Sequence, residues 1–175
     1  MRDSKKPLLV SINGAPEIGV TSAIGRVRRC LEGRGLTVEV ETIAAPRWWA
    51  HLEVDIMNGN YSDVDVILID RHPYTVTAAR RGLHQALFTE SVKVDISILL
   101  TSAVETHRSR VQYRLNNEIW AKYASPRQVI GRYLELGLEH YGTVNHHAVC
   151  TDGANGRLYA AGKIRSLIDR ELSDA

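Results

Sequence analysis

The sequence predicts an α/β fold in three layers, with a parallel sheet of about five strands and helices on both faces. Short apolar runs rich in branched residues alternate along the chain with amphipathic segments of helical length. A loop that contains glycines lies between the first apolar run and the first helical segment. Strands that alternate with helices are joined by right-handed crossovers, so a parallel sheet follows.

Five segments have the composition of buried strands. The clearest is Val64–Ile69, which is apolar apart from Asp65 and is followed by Asp70. Runs of this length, bounded by turn residues, are typical of strands that are covered on both faces. The predicted strands are Leu8–Ile12, Leu36–Thr42, Val64–Ile69, Val94–Leu100 and His147–Cys150.

Helical periodicity fills the segments between these strands. In the first helix, Ile24, Val27 and Leu31 share one face, and Gly33 follows its end. The predicted helices are Thr21–Glu32, Pro46–Met57, Thr75–Phe88, Val104–Leu115, Pro126–Tyr141 and a last helix marked by Leu158, Ala161, Ile164 and Ile168.

Length and composition indicate one ordinary globular domain over residues 1–175, with 44% hydrophobic and 24% charged residues. The formal net charge of +2 is too small to predict a nucleic-acid partner, which needs a concentrated basic face. Cys30 and Cys150 form no metal-binding or disulfide pattern, and no apolar run has the length of a signal peptide or membrane span. We therefore predict a cytoplasmic protein without a membrane partner.

The loop after the first strand has the spacing of a phosphate-binding loop. Its glycines are separated by four residues and a threonine follows one residue later, which is the Walker A arrangement. Backbone amides in such a loop, together with the N-terminus of the next helix, bind anions. The predicted phosphate-binding residues are Gly14, Ala15, Pro16, Glu17, Ile18, Gly19, Val20 and Thr21.

This loop departs from the pattern at one position. Val20 stands where the Walker A lysine belongs, so the loop lacks the charge that normally reaches the outer phosphates. Thr21 keeps the hydroxyl that ligates magnesium. A plain strand-to-helix turn is the alternative interpretation of the segment.

A second group of polar residues follows the third predicted strand. Asp70 and Arg71 stand at its carboxyl end, where ligands bind in parallel α/β sheets, so we expect them near the Gly14 loop. Asp70 is a candidate for magnesium binding or general-base catalysis, and Arg71 for gripping a substrate phosphate. A helix cap with a solvated arginine is the alternative. His72 is a candidate for binding the substrate, for proton transfer or for orienting Asp70, and a solvated or packed side chain is the alternative. The scattered histidines do not predict a zinc site.

Segments along most of the chain resemble the thymidylate kinase and deoxynucleoside kinase group of P-loop proteins. The resemblance implies the three-layer P-loop nucleotide-kinase fold, ATP as phosphate donor, Mg²⁺ and a nucleoside or nucleoside monophosphate as acceptor. It also implies a homodimer. The segments that carry the resemblance are LLVSINGAPEIGVTS, ILIDRHPYTVTAA, ILLTSAVETHRSRVQYR, VIGRYLELGLEHYG and CTDGANG.

The resemblance also implies roles for individual residues. Asp70 and Arg71 match the family's Asp-Arg motif at the reacting centre, and residues 108–126 resemble its lid. By the same resemblance, Arg110 and Arg114 are catalytic candidates. Candidates for binding the donor and its adenine are Arg108, Gly153 and Ala154.

The acceptor pocket differs from the family's pattern. Ala79 and Arg80 stand near a position where thymidylate kinases carry a Tyr-Gln pair, and ETIAAPRWW lacks the family's Arg-Glu-Pro-Gly-Gly signature. Arg47 and Trp48 are candidates for a substitute phosphate contact and a base-stacking surface, and Tyr74 is a third candidate for the acceptor pocket.

Three functions are compatible with these residues. The leading hypothesis is a divergent kinase that transfers phosphate from ATP to a (deoxy)nucleotide such as dTMP. The absence of the loop lysine at Val20 motivates a second hypothesis, an ATP-independent nucleoside 5′-monophosphate phosphohydrolase. A non-catalytic nucleotide-binding protein is the third.

Overall fold

The computed structural model describes residues 6–15, 17–42, 47–70, 94–112 and 145–174. Elements are numbered here in chain order within these ranges. The strands are β1 Leu8–Gly14, β2 Val38–Thr42, β3 Val66–Asp70, β4 Ile96–Thr101 and β5 Asn145–Cys150. The helices are α1 Val20–Glu32, α2 Arg47–Met57, α3 Val104–Gln112 and α4 Gly156–Ser173.

The described strands form one five-stranded sheet in the order β2-β3-β1-β4-β5. Every neighbouring pair is parallel. In the register of β1 with its neighbours, Ile12 is opposite Asp70 of β3 and Gly14 is opposite Leu100 of β4. The carboxyl ends of the three central strands therefore lie together, which confirms the predicted α/β fold with a parallel sheet.

Alternate side chains of the strands pack into separate cores on the two faces of the sheet. Val10 of β1 belongs to a core that includes α1 and α4, whereas Leu9 packs with Leu52 of α2. Both β1 side chains are at most 2% exposed. The central strand is thus buried on both sides, which explains its content of branched residues, and its two polar side chains hydrogen-bond to each other: Asn13 donates to the Ser11 hydroxyl at 3.2 Å.

The first helix follows its predicted pattern. Val20, Ile24, Val27 and Leu31 are buried along one side, and Gly33 follows the last helical residue. Its neighbour in the same layer is α4, whose buried stripe includes Ile164 and Ile168. These two helices cover the face of the sheet beneath the Gly14 loop.

The strand boundaries differ from the prediction by at most two residues. The structure starts β3 at Val66 and β4 at Ile96, two residues later than predicted, because an aspartate lies just before each strand and its side chain binds a backbone amide. Asp65 accepts from the Thr37 amide at 2.8 Å, and Asp95 accepts from the Leu9 amide at 2.7 Å.

Some predicted elements lie in parts of the chain that the structure does not describe. The helices predicted at 75–88 and 126–141 lie outside the described residues, as does most of the predicted lid at 108–126. Helix α3 is described from Val104 to Gln112, and the remainder of its predicted span, up to Leu115, lies outside the described residues. None of the helices in that range combines the length and apolar character needed to cross a membrane.

Candidate functional site

The segment between β1 and α1 is a tight loop. A Cβ atom at Gly14 would lie 2.6 Å from Cγ2 of Ile18, so the loop folds back on its own first residue. The Ile18 amide donates to the Ala15 carbonyl at 3.2 Å, which closes the turn. Glu17 and Gly19 have φ of 66° and 107°, in the left-handed region. Of the predicted phosphate-binding residues, Pro16 lies outside the described residues.

The loop leads directly into the N-terminus of α1. Gly19 is the N-cap residue, no described side chain caps it, and this fully described helix has no acidic residue in its first turn. The first amides of a helix lack partners within the helix and carry the positive end of its dipole. The backbone at Gly19 to Thr21 therefore suits an anion such as phosphate.

Three side chains of the loop point into the core and are not available to contact a ligand. Ala15 and Ile18 are at most 2% exposed and Val20 is 9% exposed, and all three pack in the core shared with α1 and α4. At these positions only the backbone can contact a phosphate. Because the side chain at position 20 packs in the core, the loop itself contributes no cation.

Thr21 and Asp70 meet beside the loop. The hydroxyl of Thr21, in the first turn of α1, donates to Oδ2 of Asp70 at 3.2 Å. Asp70 ends β3 and is 6% exposed, whereas Thr21 is exposed. The predicted proximity of Asp70 to the Gly14 loop is thus present, through a contact 49 residues apart in sequence.

These two oxygen-bearing side chains fit a magnesium site by their chemistry. Mg²⁺ in nucleotide-binding sites uses one or two protein oxygens together with phosphate oxygens and water. A carboxylate beside a hydroxyl at the mouth of a phosphate loop supplies that protein part. The described ranges contain no group of three or more His, Cys, Asp or Glu side chains arranged to hold a metal ion.

Arg110 of α3 reaches the loop from the other side. Its guanidinium donates to the Ile18 carbonyl at 3.3 Å, to the Thr151 hydroxyl at 3.0 Å and to the Thr151 carbonyl at 2.8 Å. Thr151 is 1% exposed, and its hydroxyl donates to the carbonyl of Thr101, where β4 ends. Burial and then the charge of Arg157 lower the pKa of Arg110, partly offset by Asp152 and Cys150.

A cavity of about 390 Å³ lies beside Arg110 and Arg157. That volume is within the range of small-molecule sites, about 300–1,000 Å³. Gly153 and Ala154, both predicted for donor binding, line it together with Arg110. The described residues that line it include no acidic side chain. Its other lining residues are Arg26, Asn155, Arg157 and Leu158.

Arg157 is the residue that the sequence prediction missed. It lies in the first turn of α4, and its side chain runs along Gly19: a Cβ at Gly19 would be 3.1 Å from Nε of Arg157. The available signal was positional, because Arg157 follows the last strand at the carboxyl edge of the sheet, where ligands bind.

The remaining predicted site residues stay predictions. Arg71, His72, Tyr74 and Arg114 lie outside the described residues. The backbones of Arg47 and Trp48 lie in α2 and that of Arg108 lies in α3, while their side chains are outside the described part of the structure.

Comparison with solved structures identifies the fold. The chain is similar to the crystal structure of thymidylate kinase from Ehrlichia chaffeensis, with a TM-score of 0.61 and 10% sequence identity, over 94% of this chain and 99% of that one. No family model matches the sequence, and no curated protein matches it either. The chain therefore has a P-loop kinase-like fold of the thymidylate kinase type.

Proposed function

We propose that this protein is a divergent nucleoside or nucleoside-monophosphate kinase, which uses ATP and Mg²⁺ to phosphorylate a (deoxy)nucleotide such as dTMP. The contact between Thr21 and Asp70 carries the proposal. A simple strand-to-helix turn does not require a hydrogen bond between a threonine hydroxyl and a carboxylate beside it. Here Thr21 makes that bond to Asp70, which is only 6% exposed. The P-loop kinase-like fold supports the same function.

In this proposal the chain's residues position the phosphates. The amides at Gly19 and Val20 bind phosphate oxygens at the start of α1, and Thr21 and Asp70 hold Mg²⁺. Bound Mg²⁺ neutralises negative charge on the outer phosphates of the donor. An oxygen of the acceptor phosphate attacks the terminal phosphorus of ATP, the bond to the β-phosphate oxygen breaks, and ADP leaves. A dianionic acceptor phosphate has no proton to lose.

The loop also favours a second function, ATP-independent hydrolysis of a nucleoside 5′-monophosphate. Val20 packs in the core and Glu17 adds a carboxylate to the loop, and both features weaken the binding of a triphosphate. In such a reaction Asp70 accepts a proton from a water that attacks the phosphorus, the bond to the 5′ oxygen breaks, and the 5′ oxygen takes up that proton as the nucleoside and inorganic phosphate are released.

The test separates these reactions on one panel of substrates. Purified protein is incubated with each ribo- and deoxynucleoside and its monophosphate, with and without ATP and MgCl₂, and products are separated by ion-exchange chromatography. Variants Asp70→Asn and Thr21→Val remove the magnesium pair, and Thr21→Ser keeps the hydroxyl. Asp174→Asn, an exposed carboxylate after α4, is the matched control.

We expect ATP-dependent formation of a phosphorylated product. Loss of a group that supports a metal ligand typically costs about 10–100-fold in metal affinity or activity, and we expect at least this loss in Thr21→Val and Asp70→Asn. Thr21→Ser and Asp174→Asn should retain activity. Phosphate release without ATP would establish the hydrolase instead. Turnover that survives Asp70→Asn unchanged would contradict both reactions at this site.

A further inference from the structure

The proposed phosphate loop lacks a cation of its own, but a guanidinium from the other end of the chain lies against it. Arg157 runs along the α-carbon of Gly19, with Nε, Cδ and Cγ at 3.1, 3.5 and 3.7 Å from the Cβ position of that glycine. Gly19 immediately precedes Val20, the position of the Walker A lysine. A larger residue at Gly19 would displace the arginine from the loop.

Arg157 is held there by the packing of its own helix. The preceding residue, Gly156, contacts the backbone of Thr151 so closely that a Cβ would lie 2.1 Å from the Thr151 carbonyl oxygen. The same carbonyl accepts a hydrogen bond from Arg110. One carbonyl thus fixes both the start of α4 and the guanidinium of Arg110, and the two arginines approach each other beside the loop.

Asp152 offsets only part of this concentration of positive charge. Arg157 lies in the first turn of α4, which has no acidic residue there, and cations are destabilising near the positive end of a helix dipole. Arg110 lies close enough to Arg157 for the two charges to repel, and this repulsion, after burial, lowers the pKa of Arg110. Arg26 adds a third guanidinium to the same cavity. A polyanion bound among the three arginines would offset both costs.

We propose that Arg157, with Arg110 beside it, takes the place of the missing loop lysine and binds the phosphate chain of the donor nucleotide. The site identified here is the arginine-lined cavity beside Gly19. Its arginines suit the phosphates, and Ala154 and Leu158 at its wall, the latter 59% exposed, suit an apolar base. The inference rests on the proposed kinase function for the identity of the ligand, but the binding of a polyphosphate can be measured without turnover.

The experiment titrates inorganic tripolyphosphate, without nucleoside and in EDTA, into the full chain by calorimetry. Variants are Arg157→Ala and Arg157→Lys. Arg165→Ala is the matched control, because it removes an exposed arginine from the same helix, where its partner is Asp169 at 3.8 Å. ATP and adenosine are titrated in parallel.

We expect Arg157→Ala to weaken tripolyphosphate and ATP binding by about 10- to 100-fold, the range for hydrogen bonds to a charged group, and to leave adenosine binding unchanged. Arg157→Lys keeps the positive charge and should lose less affinity. Arg165→Ala should bind as the parent does. Equal affinity of the parent and Arg157→Ala would overturn the inference, as would failure of the parent to bind tripolyphosphate.

Turnover measured on the same variants separates this inference from the proposed function. Tripolyphosphate binding that depends on Arg157, in a protein that transfers no phosphate, would support the arginine site and refute the kinase. Phosphate transfer that Arg157→Ala leaves unchanged would support the kinase and refute the arginine site.

Discussion

Glu17 has a backbone conformation that is unfavourable for residues other than glycine. Its φ of 66° places a side chain with a β-carbon in the left-handed region, in the middle of the loop that we propose binds phosphate. Its carboxylate also adds negative charge to that loop. The residue therefore combines a conformational cost with an electrostatic one, and substitutions can separate them.

Glu17→Gly should stabilise the protein and tighten polyphosphate binding. The left-handed conformation costs about 1–2 kcal/mol, and glycine loses about 0.4–1 kcal/mol more entropy on folding, so we expect a net gain of about 0.5–1 kcal/mol in unfolding free energy. Urea denaturation measures the stability, and tripolyphosphate titration measures the affinity.

Glu17→Ala is the control for charge. It removes the carboxylate but keeps the left-handed β-carbon, so it should bind tripolyphosphate more tightly than the parent without the gain in stability. Equal unfolding free energies for the alanine and glycine variants would show that the backbone at Glu17 is not strained.

Sequence reasoning placed some site residues and missed others. The proximity of Asp70 and Thr21 was predictable, because Asp70 follows a predicted strand and Thr21 begins a predicted helix at the carboxyl edge of the same parallel sheet. Arg157 lies at the same edge, but its contact with Gly19 depends on how closely α4 approaches α1. That approach is set by the packing of Gly156 on Thr151, which no local pattern encodes.

At the scale of the elements, the start of α4 packs very closely near the site, where Gly156 contacts the backbone of Thr151. We predict that Gly156→Ala destabilises the protein by about 1–3 kcal/mol, the usual cost of overpacking, because its Cβ would overlap the Thr151 carbonyl. It should also weaken polyphosphate binding, since Arg157 would move with the helix. Thermal unfolding and tripolyphosphate titration measure the two effects.

The matched control is Gly162→Ala in the same helix. No described atom lies within 4 Å of a Cβ at this position, so alanine should stabilise the helix by about 0.5–1 kcal/mol and leave binding unchanged. If the two alanine variants behaved alike, the close approach of Gly156 to Thr151 would have no energetic consequence.

The strand ends show why element boundaries were predicted less well than the elements themselves. Val64 and Val94 are apolar and read as strand residues, yet the structure begins both strands two residues later. Asp65 and Asp95 follow these valines and bind backbone amides of neighbouring chain segments. Each boundary thus depends on a partner distant in sequence, whereas the apolar runs depend on burial alone.

At the scale of the whole molecule, His147 on the edge strand β5 makes stability depend on pH. Burial, then Arg170 and Lys163, lowers the pKa of His147, partly offset by Glu171. The folded state therefore favours the neutral ring. Its contribution is present above the unfolded pKa of about 6.5 and is lost as the pH falls through the lower folded value.

We expect the unfolding free energy to decrease between about pH 7 and pH 5, and His147→Gln to remove part of that decrease. Because the side chain is partly exposed, solvent screening keeps the effect modest. Urea denaturation across this pH range measures it. His51→Gln, on an exposed position of α2, is the control and should keep the parent's slope. An unchanged slope in His147→Gln would refute the assignment.

The architecture as a whole was partly predictable. Alternating strands and helices predicted a parallel sheet of about five strands, which the structure confirms. The order β2-β3-β1-β4-β5 was not predicted, because the apolar runs resemble one another and do not encode their neighbours. In that order the chain leaves β1 toward β2 at one edge of the sheet and leaves β4 toward β5 at the opposite edge. The crevice between β1 and β4 is the place where sheets of this kind bind ligands.

The contact between Gly19 and Arg157 also has a consequence for biosynthesis. The loop, Thr21 and Asp70 all precede β4 in the chain, whereas Arg157 follows 138 residues after Gly19. A nascent chain synthesised as far as β4 contains Thr21 and Asp70 but not the guanidinium that lies on the loop. If Arg157 binds the phosphates as proposed, such a nascent chain would bind polyphosphate as weakly as Arg157→Ala, and full affinity would require α4 to have been synthesised and to have packed against α1.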